Sequence, residues 1–332
     1  MLFLIPHLFP PRRLLEAAIQ GLRLPALETL MARGTLQPCP ADGVEAALCE
    51  VLGIPRQQDW PLAPITLEAD GGSAGGAYWL RADPVHLRVM RDRIVLTDNA
   101  ALEISRQEAD ALATAINEHF GDALQLLPLH PKRWYVRTLQ SPQLVTTPLS
   151  VAIGRAIDPL LPQGPDAAVY RARLNELQML LHEHPVNQAR EASGALQVNA
   201  LWLWGGGGKP AVPTTPVPLY ARNDGARALG TFCNTQVLPL PSQLKKSLIE
   251  TGGVMLLDDL IVAGQNGDAY GWREAIRMLE ANWFGPLLGV LNAIGPQGLQ
   301  LLDPVNGRTL RLQRADAWKI WRRSRGLASM LA

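Results

Sequence analysis

Cysteines and long apolar runs are scarce in this sequence, and each scarcity excludes a class of protein. Only three cysteines occur among 332 residues, without a C-x-x-C spacing. This excludes a disulfide framework and indicates a reduced, cytoplasmic protein. No window approaches the roughly 18 uninterrupted apolar residues of a membrane span. The apolar N-terminal stretch has no basic n-region, so we expect a buried first strand there and not a signal peptide.

An excess of charge of either sign is also lacking. The chain carries 31 Lys and Arg against 30 Asp and Glu, a net charge of +1. No global field draws it to nucleic acid or to an anionic membrane, and we expect neither as a partner. The segment "DAWKIWRRSRG" (316–326) combines tryptophans with basic residues and leaves two alternatives. It either binds such a surface or, as we prefer, forms a last helix that docks Trp318 and Trp321 and exposes its arginines.

The apolar pattern changes along the chain and predicts the domain organisation. Early and late segments such as "LFLIP" (2–6) and "GVMLLDD" (253–259) are typical of buried parallel strands with helices between them. The middle part alternates like paired strands around one capped helix, "ISRQEADALATAINEHFGD", which indicates a small α+β domain. We therefore predict a discontinuous α/β core, residues 1–74 and 156–332, with an inserted α+β domain at 75–155.

A run of four glycines in "NALWLWGGGGKP" (199–210) raises the question of a phosphate-binding loop. Lys209 is followed by Pro210, which prevents the helix that a Walker loop requires, and no helix follows for a dinucleotide fold. We favour a tight loop that is glycine-rich because neighbouring backbone approaches closely. A phosphate cradle at the end of this strand is the alternative. We expect "LWLWG" to lie centrally in the core sheet, with its tryptophans buried.

Three segments resemble the archaeal-type cofactor-independent phosphoglycerate mutases. "HEHPVNQAREASGALQVNALWLWGGGG" is similar to the family pattern L-x-x-H-P-x-N-x-x-R-x-x-x-G-x-x-x-A-N-x-x-W-x-W-G-x-G. "LPALETLMARG" with the following helix, and "YWLRADPVHL" through "RWYVR", look like further landmarks of that family. Within the family the chain looks similar to a degenerate bacterial branch named after regulators of pathogenicity factors, type E. The resemblance implies an alkaline-phosphatase-like three-layer sandwich core with an inserted α+β domain.

The resemblance also implies positions for catalytic groups, and these are altered here. The family's first metal ligand falls near His7, and its nucleophilic serine falls on Val44. No histidine follows His184 in the sequence, so the late histidine ligands of the family are missing. Asp258, Asp259 and Asp303 follow predicted strands and could hold one hard cation, but we favour capping or loop roles for them. We expect no catalytic residue, no metal and no resident cofactor.

The family's cleft binds a phosphorylated acid, and some basic and polar positions are retained. The candidate ligand-binding residues are Arg81, Arg137, His184, Asn187, Arg190 and Lys209. For the three in the H-P-x-N-x-x-R motif we prefer a structural role that pins the insert to the core. The two strand arginines are equally well explained as solvated side chains.

These observations predict a non-catalytic, regulatory relative of phosphoglycerate mutase. It would bind a small anionic metabolite, phosphorylated or carboxylated, in the interdomain cleft, and its protein partner is unknown. The alternative is an active cofactor-independent phosphoglycerate mutase or phosphohydrolase with a rebuilt site.

Overall fold

The computed structural model describes residues 1–97, 101–213 and 217–331. The alternation in "YWLRADPVHLRVMRDRIVLTD" predicts paired strands that end at Asp98, and that residue lies outside the described ranges of the structure. Its strands are β1 (Leu2–Leu4), β2 (Thr35–Pro38), β3 (Tyr78–Val85), β4 (Leu87–Met90), β5 (Arg93–Leu96), β6 (Gln125–His130), β7 (Arg133–Thr138), β8 (Ala200–Gly207), β9 (Leu219–Tyr220), β10 (Val237–Leu238), β11 (Val254–Leu256), β12 (Leu299–Asp303) and β13 (Arg308–Leu312).

The α-helices occupy most of the segments with predicted helical spacing. They are α1 (Arg12–Ala18), α2 (Pro25–Arg33), α3 (Val44–Val51), α4 (Leu62–Ala69), α5 (Arg106–Phe120), α6 (Leu149–Ala152), α7 (Ala167–Glu183), α8 (Pro185–Ala192), α9 (Asp224–Phe232), α10 (Lys246–Thr251), α11 (Ile261–Asn266), α12 (Ala269–Leu279), α13 (Gly285–Gly289) and α14 (Leu327–Leu331).

The chain divides into two compact units. One comprises Met1–Leu52 and Thr214–Ala332, and we call it the seven-stranded unit. The other comprises Gly53–Pro213, and we call it the four-stranded unit. These boundaries differ from the predicted domains 1–74, 156–332 and 75–155. The reason is that β8, expected in the core, pairs with β3 of the predicted insert.

The sheet of the seven-stranded unit runs β10-β9-β11-β1-β12-β13-β2. Its first five strands are parallel, while β13 and β2 join the edge antiparallel. Phe3 and Leu4 of β1 are buried, as expected for a strand that is covered on both faces. Trp272 and Phe284 from the last third of the chain pack in the same core. The predicted α/β class is thereby confirmed.

The segment "LQLLDPVNGRTLRLQ" (299–313) predicts a hairpin with Asn306-Gly307 in a type I′ turn. The hairpin β12–β13 forms as predicted, but its turn differs. A type I′ turn needs positive φ at both central residues. Within the described residues only His7 and Asn234 have positive φ among non-glycines, so Asn306 does not satisfy this geometry, although Gly307 has φ 64°. The chain takes a longer loop because Asp303 accepts hydrogen bonds from the backbone and the side chain of Asn306.

The four-stranded unit is an antiparallel sheet with the order β6-β7-β3-β8. Helices α5 and α7 pack on it through Leu112, Ile116 and Leu177. The predicted capping box of α5 is present, with the Glu108 N–H donating to Ser105 Oγ at 3.2 Å and the Ser105 N–H donating to Glu108 Oε2 at 2.8 Å. A separate hairpin joins β4 and β5.

The prediction that "LWLWG" lies centrally in the core sheet is wrong. Strand β8 is the last strand in the order of the four-stranded sheet. It is nevertheless buried along its whole length, and Trp202 and Trp204 are 4% and 6% exposed. Helix α4 packs against β8. An edge strand that is covered in this way has the same apolar composition as a central one, so the pattern does not separate the two.

Candidate functional site

The carboxyl ends of parallel strands are where open α/β sheets bind ligands. In the seven-stranded unit, His7 follows β1, Asp258 follows β11, and Asp303 ends β12. Helix α3 begins beside them, because the Gly43 N–H donates to the Pro304 carbonyl at 3.0 Å. The positions to which the resemblance assigns ligands and nucleophile therefore lie on elements at one edge of this sheet.

Asp303 is fully buried, and both of its carboxylate oxygens are occupied. The backbone N–H groups of His7, Phe9, Val305 and Asn306 donate to it at 2.9–3.1 Å, and the Asn306 side chain donates at 3.0 Å. A carboxylate that accepts this many N–H bonds holds two loops together. Its oxygens are not presented to a ligand.

Among the described residues, two buried side chains at this edge have an unoccupied polar atom, His7 and Thr309 on β13. His7 is the one that can ligate a metal or accept a proton. It is 7% exposed, has φ 61°, and its Nδ1 has no hydrogen-bond partner in the described structure. Burial lowers the pKa of His7, and the charge of Asp303 opposes that shift only in part. The ring packs against Gly264, where any Cβ would collide with it. A neutral imidazole with a free lone pair is a possible single ligand, but it faces a packed helix.

Asp258 and Asp259 make polar contacts with Arg222 and Asn223, which follow strand β9. Arg222 Nη1 lies 3.0 Å from an oxygen of Asp259 and 3.7 Å from one of Asp258. The Asn223 amide donates to Asp258 at 3.4 Å. Within the described ranges no group of three or more His, Cys, Asp and Glu side chains is arranged to hold a metal ion. The residues present therefore do not fit the two-metal site that the resemblance implies.

The position to which the resemblance assigns the nucleophile holds an apolar side chain. Val44 is the first residue of α3, follows Gly43 with φ 93°, and is 6% exposed. Its side chain has no atom that can attack phosphorus. Cys39, which precedes this helix, does not replace it, because burial raises the pKa of its thiol to about 11.

Arg81 is a structural residue of the four-stranded unit. Its guanidinium forms a bidentate pair with Asp83, at 2.7 and 3.0 Å from Nη2, and both residues are buried. It lies 5.2 Å from the Tyr135 ring centroid and 5.0 Å from that of Trp204. Its donors and its faces are thus used inside the protein, and nothing in this geometry presents them to a ligand.

The H-P-x-N-x-x-R motif ties helices to the start of β8. The Asn187 side chain donates to the Leu181 and Val198 carbonyls at 2.8 Å and accepts from the Val198 N–H at 2.9 Å. Arg190 donates to the Leu196 carbonyl at 2.6 Å and to Glu108 at 2.7 Å. These contacts use the polar atoms of Asn187 and Arg190 within the four-stranded unit. That the motif pins an insert to the core stays a prediction.

His184 caps helix α8. Its Nδ1 accepts a hydrogen bond from the Val186 N–H at 3.2 Å, which requires that this nitrogen be unprotonated. Partial burial lowers the pKa of His184. The neutral form is therefore the one that the fold uses.

The glycine run packs closely against its neighbours, as the favoured interpretation predicts. A Cβ on Gly205 would lie 3.0 Å from the Leu62 side chain, and one on Gly207 would lie 2.5 Å from Pro61. Lys209 pairs with Glu68 at 2.8 Å on the surface. Close packing accounts for Gly205, Gly206 and Gly207 without a phosphate, whereas a Cβ on Gly208 would have nothing within 4 Å.

Arg137 is the candidate that the structure leaves available. Its side chain is exposed, and no ion pair or hydrogen bond engages it in the described structure. It lines a half-open groove of about 700 Å³ together with Trp79, Gln125, Gln140 and Ser141. Gln125, Arg137 and Trp79 are register partners on three adjacent strands, so their side chains share a face.

The other wall of this groove is the loop Ser73–Ala77. The glycines and the serine of this stretch, "EADGGSAGGAYWLRADP", predict a joint between structural units. The structure shows that this loop also forms a groove with a strand arginine, which the sequence pattern alone did not indicate. The groove offers a guanidinium, side-chain amides and a hydroxyl to a small polar ligand. The Trp79 indole beneath it is buried and donates to the Ala74 carbonyl at 2.9 Å.

The expectation that Trp318 and Trp321 dock into the core is wrong. They are 69% and 72% exposed, and Ile320 between them is 75% exposed. The segment is not one helix, since a 3₁₀ helix ends at Trp318 and a turn follows. The buried anchor is instead Asp316, which caps that 3₁₀ helix.

The structure is an α/β protein with two contrasting candidate regions. At the carboxyl ends of its parallel strands, the carboxylates of Asp258 and Asp303 are already engaged and Val44 is apolar. In the four-stranded unit, the groove at Arg137 is open.

A family model described as 2,3-bisphosphoglycerate-independent phosphoglycerate mutase matches residues 75–187. A probable enzyme of that name from Geobacter sulfurreducens is 28% identical over 59% of this chain and 51% of its own length. One from Methanothrix thermoacetophila is 26% identical over 48% and 46%, respectively.

These matches show that part of the chain is similar to 2,3-bisphosphoglycerate-independent phosphoglycerate mutases. The chain spans about half the length of the curated relatives it matches. Two solved structures are also similar, a cofactor-independent phosphoglycerate mutase from Thermoplasma acidophilum (18% identity, 100% of this chain and 94% of the other, TM-score 0.47) and the PH0037 protein from Pyrococcus horikoshii (16%, 98% and 91%, TM-score 0.49). In the described ranges, no helix is both long and apolar enough to cross a bilayer.

Proposed function

We propose that this protein is a non-catalytic relative of the cofactor-independent phosphoglycerate mutases, with an alkaline-phosphatase-like core, that acts as a cytoplasmic regulatory protein. The observation that carries the proposal is Val44 at the start of α3, where the resemblance places the nucleophilic serine. The saturated carboxylate of Asp303 supports it, because a metal ligand needs free oxygen lone pairs.

The ligand of this proposal is a small phosphorylated or carboxylated acid bound at Arg137. A guanidinium presents paired donors that match the oxygens of carboxylate and phosphate groups. Gln140 and Ser141 beside it offer further polar groups to the anion or to hydroxyls of the ligand. Of the six candidate residues, Arg137 is the one whose polar atoms are not already used by the described contacts.

An active mutase or phosphohydrolase with a rebuilt site is the second candidate. One observation favours it, the free Nδ1 of the buried His7 beside Asp303. A rebuilt site would need this nitrogen to bind a metal or to accept a proton.

Calorimetric titration with 3-phosphoglycerate and with inorganic phosphate tests the proposal. We expect binding of 3-phosphoglycerate that is weakened at least tenfold in Arg137→Gln. The matched control is Arg93→Gln, an exposed strand arginine of the same unit that lies outside the groove. Equal affinity for 3-phosphoglycerate in Arg137→Gln and Arg93→Gln would contradict the groove assignment. Loss of binding in His7→Gln, with Arg137→Gln unaffected, would favour the second candidate.

A further inference from the structure

The segment Trp318–Arg325, "WKIWRRSR", is an exposed amphiphilic surface that the proposed function does not use. Trp318, Ile320 and Trp321 expose about 70% or more of their surface. Large apolar side chains that are exposed side by side mark contact sites more often than single exposed ones do. The surface therefore requires an explanation of its own.

The segment is held in place on both sides. Before it, Asp316 is 5% exposed and accepts from the Gln313 N–H, and Arg33 donates to the Ala317 carbonyl at 3.1 Å. After it, Leu327 is fully buried. The Ile320 N–H donates to the Trp318 carbonyl at 2.8 Å, which keeps the turn closed. The two indoles are thus presented by an ordered turn.

The charges of this segment have one sign. Lys319, Arg322, Arg323 and Arg325 lie among the apolar residues, and no acidic residue follows Asp316 in the sequence. Lys319 is paired with Asp316 at 2.5 Å, and Arg322 reaches the carbonyls that end helix α2. Arg323 and Arg325 are exposed, and the described structure gives them no ion pair. The net charge of the whole chain conceals this local concentration.

We propose that Trp318–Arg325 docks the protein peripherally on an anionic lipid surface. Tryptophan prefers the boundary between headgroups and acyl chains, where its apolar ring is buried and its N–H stays wet. Neighbouring arginines are attracted by anionic headgroups, and stable anchoring takes both signals together. The aliphatic Ile320 between the indoles also suits the acyl boundary, whereas base stacking on nucleic acid would gain nothing from it. This proposal replaces the expectation of no membrane contact, which rested on the net charge of the whole chain.

Vesicle flotation with the full chain tests this proposal. We expect binding to vesicles of phosphatidylcholine with about 30% phosphatidylglycerol, and none to phosphatidylcholine alone. The double variant Arg323→Gln/Arg325→Gln should bind about 10- to 30-fold more weakly, as expected for two juxtamembrane charges. Trp318→Ser/Trp321→Ser should lose binding and the blue shift of tryptophan emission on vesicle addition. Binding of the wild-type protein should weaken with added salt.

Tyr270→Ser is the matched control, because Tyr270 is 75% exposed in the same unit and lies outside the segment. All altered residues are exposed, and an unchanged circular dichroism spectrum verifies folding. Failure to bind anionic vesicles, or equal binding by both double variants and the control, would overturn the proposal. The proposal would also be overturned if vesicle binding is absent and the protein instead dimerises in sedimentation, or binds a single-stranded oligonucleotide, in a way that the tryptophan variant abolishes.

Discussion

Replacement of Arg81 by methionine tests the structural interpretation of the four-stranded unit most stringently. Methionine has a similar length but leaves the Asp83 carboxylate, which is 1% exposed, without its ion-pair partner. Removal of one partner of a buried ion pair costs about 3–5 kcal/mol, because the remaining charge stays desolvated. With a urea m-value of about 2 kcal/mol/M, the unfolding midpoint should fall by about 1.5–2.5 M.

The double variant Arg81→Met/Asp83→Asn separates this explanation from a loss of packing. Its amide is neutral, and the amide oxygen still accepts from Trp204 Nε1, which donates to Asp83 at 2.8 Å. The double variant should therefore be more stable than Arg81→Met alone. Urea titration followed by circular dichroism and tryptophan fluorescence measures both. A midpoint for the double variant at or below that of the single one would refute the reasoning, as would a neutral Arg81→Met.

Three further changes test individual contacts by urea unfolding. Gly207→Ala should lower stability by about 1–3 kcal/mol, since its Cβ would lie 2.5 Å from Pro61, whereas Gly208→Ala has nothing within 4 Å and should be neutral; equal effects would contradict the close-packing explanation. Trp202→Ala should cost about 3–5 kcal/mol because the indole is 4% exposed, and an unchanged midpoint would argue against its burial. Burial lowers the pKa of His184 in the folded protein. The contribution of His184 to stability should therefore be full above the ordinary histidine pKa of about 6.5 and be lost as the pH falls below it towards the lowered folded-state pKa. His184→Asn, which can still cap the helix, should flatten this pH dependence, and an unchanged pH profile would contradict the cap assignment.

Sequence signals predicted the ends of a helix well where the stabilising contacts are between residues close in sequence. The capping box at Ser105 and Glu108 and the stop at Gly121 bound helix α5 because a helix end is satisfied by residues within one turn. The predicted type I′ turn failed because Asp303, at the end of β12, binds Asn306 and imposes a longer loop. That interaction competes with intrinsic turn preference, and a dipeptide pattern does not contain it.

Long-range placement was harder to predict. The apolar run of β8 is compatible with a central strand and with an edge strand that helix α4 covers. Likewise, the spacing of Trp318 and Trp321 suggested one docked helical face, but a 3₁₀ helix and a turn expose both indoles.

The candidate site shows the same division. Val44 stands where the resemblance places the nucleophile, and residue identity alone shows that its side chain is apolar. Which arginine remains available depends on partners distant in sequence, such as Glu108 for Arg190. From the sequence, Arg81 and Arg137 are equivalent candidates on two strands. In the structure Arg81 is buried against Asp83 and two aromatic rings, whereas Arg137 is exposed.

The interconversion of 3-phosphoglycerate and 2-phosphoglycerate is the measurement that tests the central claim most directly. It should be assayed on the purified full chain with Mn²⁺, Mg²⁺ and Zn²⁺ added in turn, beside a metal-dependent phosphoglycerate mutase as positive control. The apolar side chain at Val44 and the occupied oxygens of Asp303 predict a rate equal to that of buffer with each metal. Metal-dependent turnover that is proportional to protein concentration would contradict the account.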